Sequence, residues 1–200
     1  MTRGSVMLSL LAVSVLALTS VASPVLASFN EGKAAYSSKD YESAYPEFRK
    51  AGDQGHAGAQ YHLGMMYRRG QGVRTDPVEA VRWYRMAADQ GHVRAQFWLG
   101  WMYRRGRGIE RDYAEAARWY GKAADQGHAM AQYNLGLLYR QGKGVSRNWV
   151  EAYKWVSLFV AQKPNSQLAW VLGDLEEHMT QMEVAEAKER AKNWRPVSGN

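Results

Sequence analysis

The chain has no cysteine in its 200 residues, only five prolines and four phenylalanines, and fewer acids than bases. Without cysteine there are no disulfides and no lipid-attachment thiol, so stability has to come from packing. Long apolar runs are missing as well. The stretch from Val6 to Leu18 is interrupted by Ser9 and Ser14 and falls short of the ~20 residues that a membrane-spanning helix needs. With Arg3 ahead of it and Val25-Leu26-Ala27 behind, it reads as a secretory signal over residues 1–27. Cleavage is expected after Ala27, with Ala22 as the second choice. The expected product is periplasmic or secreted, with no stable membrane span after processing. Acids are the scarcer charge, 19 Asp and Glu against 26 Lys and Arg, for a net charge of +7. In an exported protein that balance favours anionic partners over nucleic acid.

What is present is a repeat. Trp83, Trp119 and Trp155 lie thirty-six residues apart, and the same phrase surrounds each. Ala59-Gln60-Tyr61-His62-Leu63-Gly64, Ala95-Gln96-Phe97-Trp98-Leu99-Gly100 and Ala131-Gln132-Tyr133-Asn134-Leu135-Gly136 stand in register behind Asp53-Gln54-Gly55-His56, Asp89-Gln90-Gly91-His92 and Asp125-Gln126-Gly127-His128. A unit of this size cannot bury its apolar face alone, so neighbours must stack.

Each unit reads as a helical hairpin. Ala59, Leu63 and Tyr67 recur every four positions on one face of a first helix, which Gly70-x-Gly72 then stops. Asp76, Pro77 and Glu79 open a second helix as a capping arrangement, copied by Asp112 with Glu115 and by Asn148 with Glu151. The expected helices lie near 57 to 69, 77 to 89, 93 to 105, 113 to 125, 129 to 141 and 149 to 161. Residues 28–52 read as an N-terminal capping unit, with a shortened first helix from Phe29 to Ser37 and Ala44, Phe48 and Ala51 in its second. Residues 53–88, 89–124 and 125–162 are three full repeats. Residues 163–200 read as degenerate C-terminal capping helices, with a turn at Lys163-Pro164-Asn165 and a capping box at Thr180 and Glu183.

The phrase resembles the Sel1-like repeat family, a relative of the tetratricopeptide repeats, over about Asp53 to Gln162. The resemblance implies an all-α, right-handed α-solenoid of stacked antiparallel hairpins whose first helices line a concave groove. Some relatives staple each hairpin with cysteines, which this chain lacks. The family's adaptors imply a non-enzymatic scaffold with a protein or peptide partner.

Little points to chemistry. His56, His92 and His128 sit at repeat spacing rather than ligand spacing, so no metal site is expected. Capping accounts for the Asp and Glu pairs, and no catalytic residue or cofactor site is visible. The glycine pairs lack the strand and the Lys-Ser or Lys-Thr ending of a phosphate loop.

Two surfaces remain. The face of the first helices opposite the buried stripe carries Gly58, Tyr61, His62, Met65 and Arg69 in one unit, Arg94, Phe97, Trp98, Trp101 and Arg105 in the next, and Met130, Tyr133, Asn134, Leu137 and Gln141 in the third. His62, Met65 and Arg69 with the five residues of the second unit stand out. These are the candidate partner-binding residues, because Trp and Arg are enriched in binding hot spots. The first-helix exits carry Arg68 and Arg74, then Arg104, Arg107 and Arg111, then Arg140, Lys143 and Arg147. Stacked, they would form a basic ridge, and the alternative function is binding of an anionic glycan or lipid of the envelope through it.

Overall fold

In the computed structural model, which describes residues 24–164 and 167–197, the repeated caps and glycine stops become a run of α-helices, and no strand occurs among the described residues. The order is α1 (Pro24–Ser37), α2 (Tyr41–Asp53), α3 (Ala57–Arg69), α4 (Pro77–Asp89), α5 (Val93–Arg105), α6 (Tyr113–Asp125), α7 (Ala129–Gln141), α8 (Trp149–Gln162), α9 (Trp170–Glu176) and α10 (Gln181–Asn193). The bounds of α3 to α7 are those expected, and α8 runs one residue further. From α1 to α8 each helix packs on its neighbours in the chain, and α10 returns to α8. The result is a solenoid of stacked hairpins. The expected signal falls, over residues 1–23, outside the described residues, as does Asn165.

The second helices start as expected at Asp76, Asp112 and Asn148. Asp76 Oδ1 accepts from the amides of Val78 and Glu79 at 2.9 and 3.1 Å, and Asp112 repeats this at 2.8 and 3.0 Å. The glutamates three residues on do not close capping boxes. Glu79 pairs with Arg82, and Glu115 takes Arg118 at 2.7 Å and the indole N–H of Trp119 at 3.1 Å. A cation one turn ahead outbids the backbone amide behind. Only at Thr180 and Glu183, among the described residues, is the box reciprocal.

Each glycine of the Gly-x-Gly pair has its own task. Gly70, Gly106 and Gly142 cap the first helices with φ of 69, 64 and 64°, in the left-handed region. Gly72, Gly108 and Gly144 lie against backbone of Tyr41, Pro77 and Tyr113, so that a Cβ would overlap it. The second glycine therefore lets each exit loop rest on the start of the preceding unit's second helix.

Packing follows the repeat. Trp83, Trp119 and Trp155 are 0, 2 and 5 % exposed, core residues as expected. Cations lie over their rings, Arg118 at 4.3 Å and Lys122 at 4.5 Å on Trp119 and Lys154 at 4.2 Å on Trp155. The glutamine of each Ala-Gln phrase is buried and joins the units. Gln60, Gln96 and Gln132 donate to the carbonyls of Gly52, Ala88 and Ala124. Their own carbonyls accept from Gln90, Gln126 and Gln162 at 2.7, 2.8 and 2.9 Å. A buried amide satisfied on both sides fixes the register of one unit on the next.

The ends differ from expectation in one respect. In the N-terminal unit the shortening falls on the loop, since α1 is a full helix from Pro24 and only residues 38–40 separate it from α2. Lys39 takes φ 63° to make that turn. At the other end Trp149 stacks on His178 at 4.7 Å, Arg190 reaches Glu151 at 2.8 Å, and the amide of Val197 donates to the carbonyl of Asp125.

Candidate functional site

The first helices lie side by side and join through aromatic rings. Phe29 stacks on His56 at 4.0 Å, Tyr61 on His92 at 4.7 Å and Phe97 on His128 at 4.6 Å. Each of these histidines also caps its helix, its Nδ1 accepting the amide of Ala59, Ala95 or Ala131 at 3.2 Å. Burial lowers all three pKa values, which keeps Nδ1 free to accept. These residues therefore have a structural role at the unit junctions. Among the described residues no group of three or more His, Cys, Asp or Glu side chains is placed to hold a metal ion.

Two of the residues assigned to the open face are not on it. Met65 is 8 % exposed, and Tyr61 of the same stripe is 7 % exposed. A first helix in this stack touches its own second helix and also the first helices on either side, so its buried arc is wider than one stripe. His62 is largely buried too. It lies flat on Phe48 at 4.5 Å with Tyr36 at its edge, and desolvation pushes its pKa down to about 4.

The second unit keeps its rings partly open. Phe97, Trp98 and Trp101 are half-buried, with Trp98 and Trp101 edge to face at 5.7 Å. Arg68 lies 3.9 Å over the Trp98 ring while its Nε donates to the Tyr84 hydroxyl at 3.3 Å. Arg69, Arg94 and Arg105 are exposed. Arg94 also lines an open cleft of about 590 Å³ between α1, α3 and α5, together with Phe29, Lys33, Gly58, Tyr61 and His62. Phe29 and Lys33 were not anticipated as site residues. Their signal was the place of α1 as the first helix of the capping unit.

The basic ridge is only partly assembled. Arg68, Arg104 and Arg140 are half-buried rather than projecting. Arg104 lies beside the buried Tyr120 hydroxyl, whose pKa burial raises to about 12 against the pull of that cation. Arg140 is committed to Asp174 of the C-terminal cap at 2.8 Å. Arg74, Arg107, Arg111, Lys143 and Arg147 stay exposed. Of these, Arg111 and Lys143 come from successive units and meet at the Tyr113 ring, each 5.7 Å from its centroid, while Arg147 lies over Trp149.

Charge is divided between the two layers. The helices α3, α5 and α7 contain Arg68, Arg69, Arg94, Arg104, Arg105 and Arg140 and not one Asp or Glu. On the second helices Arg49, Arg82, Arg118 and Lys154 each pair with a carboxylate three or four residues away. From α3 to α7 the first-helix layer is thus aromatic and cationic, while α1 carries Glu31 as well as Lys33.

Comparison with known proteins agrees with this architecture. The family described as Sel1 repeat matches residues 57–92, 93–128 and 129–162. A Sel1 repeat protein from Oxalobacter formigenes is similar at 32% identity and a TM-score of 0.69, over 81% of this chain and 67% of that one. A protective antigen of uropathogenic Escherichia coli displaying an SLR fold is similar at 31% identity and a TM-score of 0.72. That match covers 84% of this chain, which spans only 38% of the antigen's length. Comparison with the curated proteins gives no match.

Proposed function

The chain belongs to the Sel1-repeat family, and from that premise we propose that it is a non-enzymatic, exported scaffold whose first-helix groove binds a protein or peptide. Sel1 repeats usually mediate protein interactions. The observation that carries the reading is the pair Trp98 and Trp101, half-open beside the exposed Arg105 on the layer that the repeat leaves variable. Aromatic rings held rigidly by their neighbours give contact area at little entropic cost, and guanidinium groups beside them give direction.

The test is crosslinking of the exported protein in its native envelope, followed by capture of the same partner with variants. Trp101→Ala and Arg105→Ala should weaken capture while the helical circular dichroism and melting midpoint stay near wild type. Trp98→Ala should weaken it as well, with some loss of stability because Trp98 also covers Arg68 and Tyr84. Silence of all three would sink the groove assignment. Export is tested by fractionation and by the N-terminal sequence of the mature protein, which should begin at Ser28. The anionic-envelope reading is the weaker one, because Arg68, Arg104 and Arg140 turn away from the ridge it needs.

A further inference from the structure

The groove reading leaves open what kind of peptide would dock, and the division of charge between the two helix layers bears on it. Arg68, Arg69, Arg94, Arg104 and Arg105 have no carboxylate within 4.0 Å among the described residues. A soluble surface ordinarily intersperses the two signs, and the second helices of this chain do so. A layer of unpaired guanidinium groups repels itself across adjacent units, and an anion bound along it relieves that repulsion. Resting on the groove reading, we propose that this layer selects an acidic peptide in the polyproline-II conformation whose carboxylates recur at every third residue, with apolar side chains between them.

The spacing follows from the stack. The contact of Arg68 with Trp98 shows that α3 and α5 touch directly, so their axes lie about 8–10 Å apart. A polyproline-II chain crossing them advances about 3.1 Å per residue with about three residues per turn, so every third side chain faces the same way and meets the same position of the next helix. Arg69 and Arg105 occupy such equivalent positions at the ends of α3 and α5, and both are exposed. The intervening residues would lie near Trp98, which meets Arg68 of α3, and Trp101 edge to face with it, both half-open. Arg68 is already held by Tyr84 and Trp98, so fixing it against a carboxylate costs little further entropy.

The experiment is fluorescence anisotropy with a fluorescein-labelled peptide of four Glu-Leu-Ser triplets. Controls are the Gln-Leu-Ser analogue, a peptide of the same composition with its glutamates contiguous, heparin, and vesicles containing phosphatidylglycerol. The periodic acidic peptide should bind at least about tenfold tighter than either peptide control and lose affinity as salt rises. Arg69→Gln and Arg105→Gln should each weaken it by about tenfold. Arg82→Gln and Arg118→Gln on the second helices should leave it unchanged, with circular dichroism confirming that all four variants fold. Equal binding of acidic and neutral peptides overturns the charge selectivity and leaves the groove reading standing. Equal binding of the contiguous-acid peptide, or equal loss from the second-helix variants, overturns the spacing and the assigned layer. Failure of every peptide, whether or not heparin or vesicles are captured, overturns the proposed ligand, and the groove reading is then decided by the capture test of the Trp98, Trp101 and Arg105 variants.

Discussion

Replacing a second loop glycine with alanine isolates the contact that joins one unit to the next. Gly91 and Gly108 both have positive φ, +86 and +70°, so alanine at either meets the left-handed penalty, about 1–2 kcal/mol. Both substitutions also reduce the freedom of the unfolded chain by the same amount, and that term cancels in the comparison. Surroundings separate them. A Cβ at Gly91 meets nothing within 4 Å, whereas one at Gly108 overlaps the carbonyl of Pro77 and the amide of Val78, backbone atoms that cannot swing aside. Moving the loop off the start of α4 should add about 1–3 kcal/mol of overpacking cost. For a chain of this size each kcal/mol lowers the midpoint by about 2–4 °C. Gly91→Ala should therefore lower the melting midpoint by about 3 °C and Gly108→Ala by about twice to three times as much. Circular dichroism at the helical signal follows both melts. Because a solenoid can open unit by unit, native-state hydrogen exchange is the second readout, with faster exchange expected at the start of α4 only in Gly108→Ala. Equal losses for the two variants would mean that the exit loop does not bear on the preceding unit.

Trp119 is 2 % exposed in the central repeat, so Trp119→Ala should cost about 3–5 kcal/mol in chemical denaturation; an unchanged midpoint would invert the assignment of faces. His62 gives a pH dependence whose sign is fixed. Its pKa is pushed down from 6.5 to about 4, first by burial and then by His92, Lys33 and Arg94. Below pH 6.5 the unfolded chain takes up a proton that the folded one refuses, so the stability present above 6.5 is lost as pH falls towards 4, on the order of 3 kcal/mol in all. Carboxylates titrate in wild type and variant alike, so His62→Phe should lose less stability than wild type over that window. Parallel curves for the two proteins would show that His62 is not held neutral by the core.

Helix bounds were readable because caps and stops are local chemistry. An aspartate whose side chain meets the next amides, or a glycine with positive φ, needs no knowledge of the rest of the chain. Junctions between units were less readable. Gln60 looked like a constant feature of the phrase, and its role appears only when Gln90, thirty residues on, completes the bond. Tyr61 and Met65 were misplaced for a related reason, since a helical wheel knows one buried face and these helices have neighbours on three sides. In the N-terminal unit Asp40, thirty-six residues before Asp76, caps α2 as Asp76 caps α4, but α1 does not keep the register. Its shorter loop shifts Phe29 into the role of Tyr61, stacked on the next capping histidine.

The arginine doublets show how far sequence goes at the candidate site. Arg68-Arg69 and Arg104-Arg105 read as equal pairs of cations at the helix exits, yet a helix turns about 100° per residue and so sends the two members to different places. Arg68 and Arg104 fold back beside Tyr84 and Tyr120, while Arg69 and Arg105 stay in solvent. The third unit breaks the series. Gln141 replaces the outward cation, and Arg140 is drawn to Asp174 by the capping helices. Its face has Asn134 buried, with Leu137 packed against the C-terminal cluster. A solenoid with identical units would bind along its whole length, but here the free positive charge on the first helices ends at α5, since the one cation of α7 is paired with Asp174. An acidic segment should therefore sit over α3 and α5, towards the N-terminal half, and a second mutation in α7 such as Gln141→Arg should extend the footprint rather than restore a lost contact.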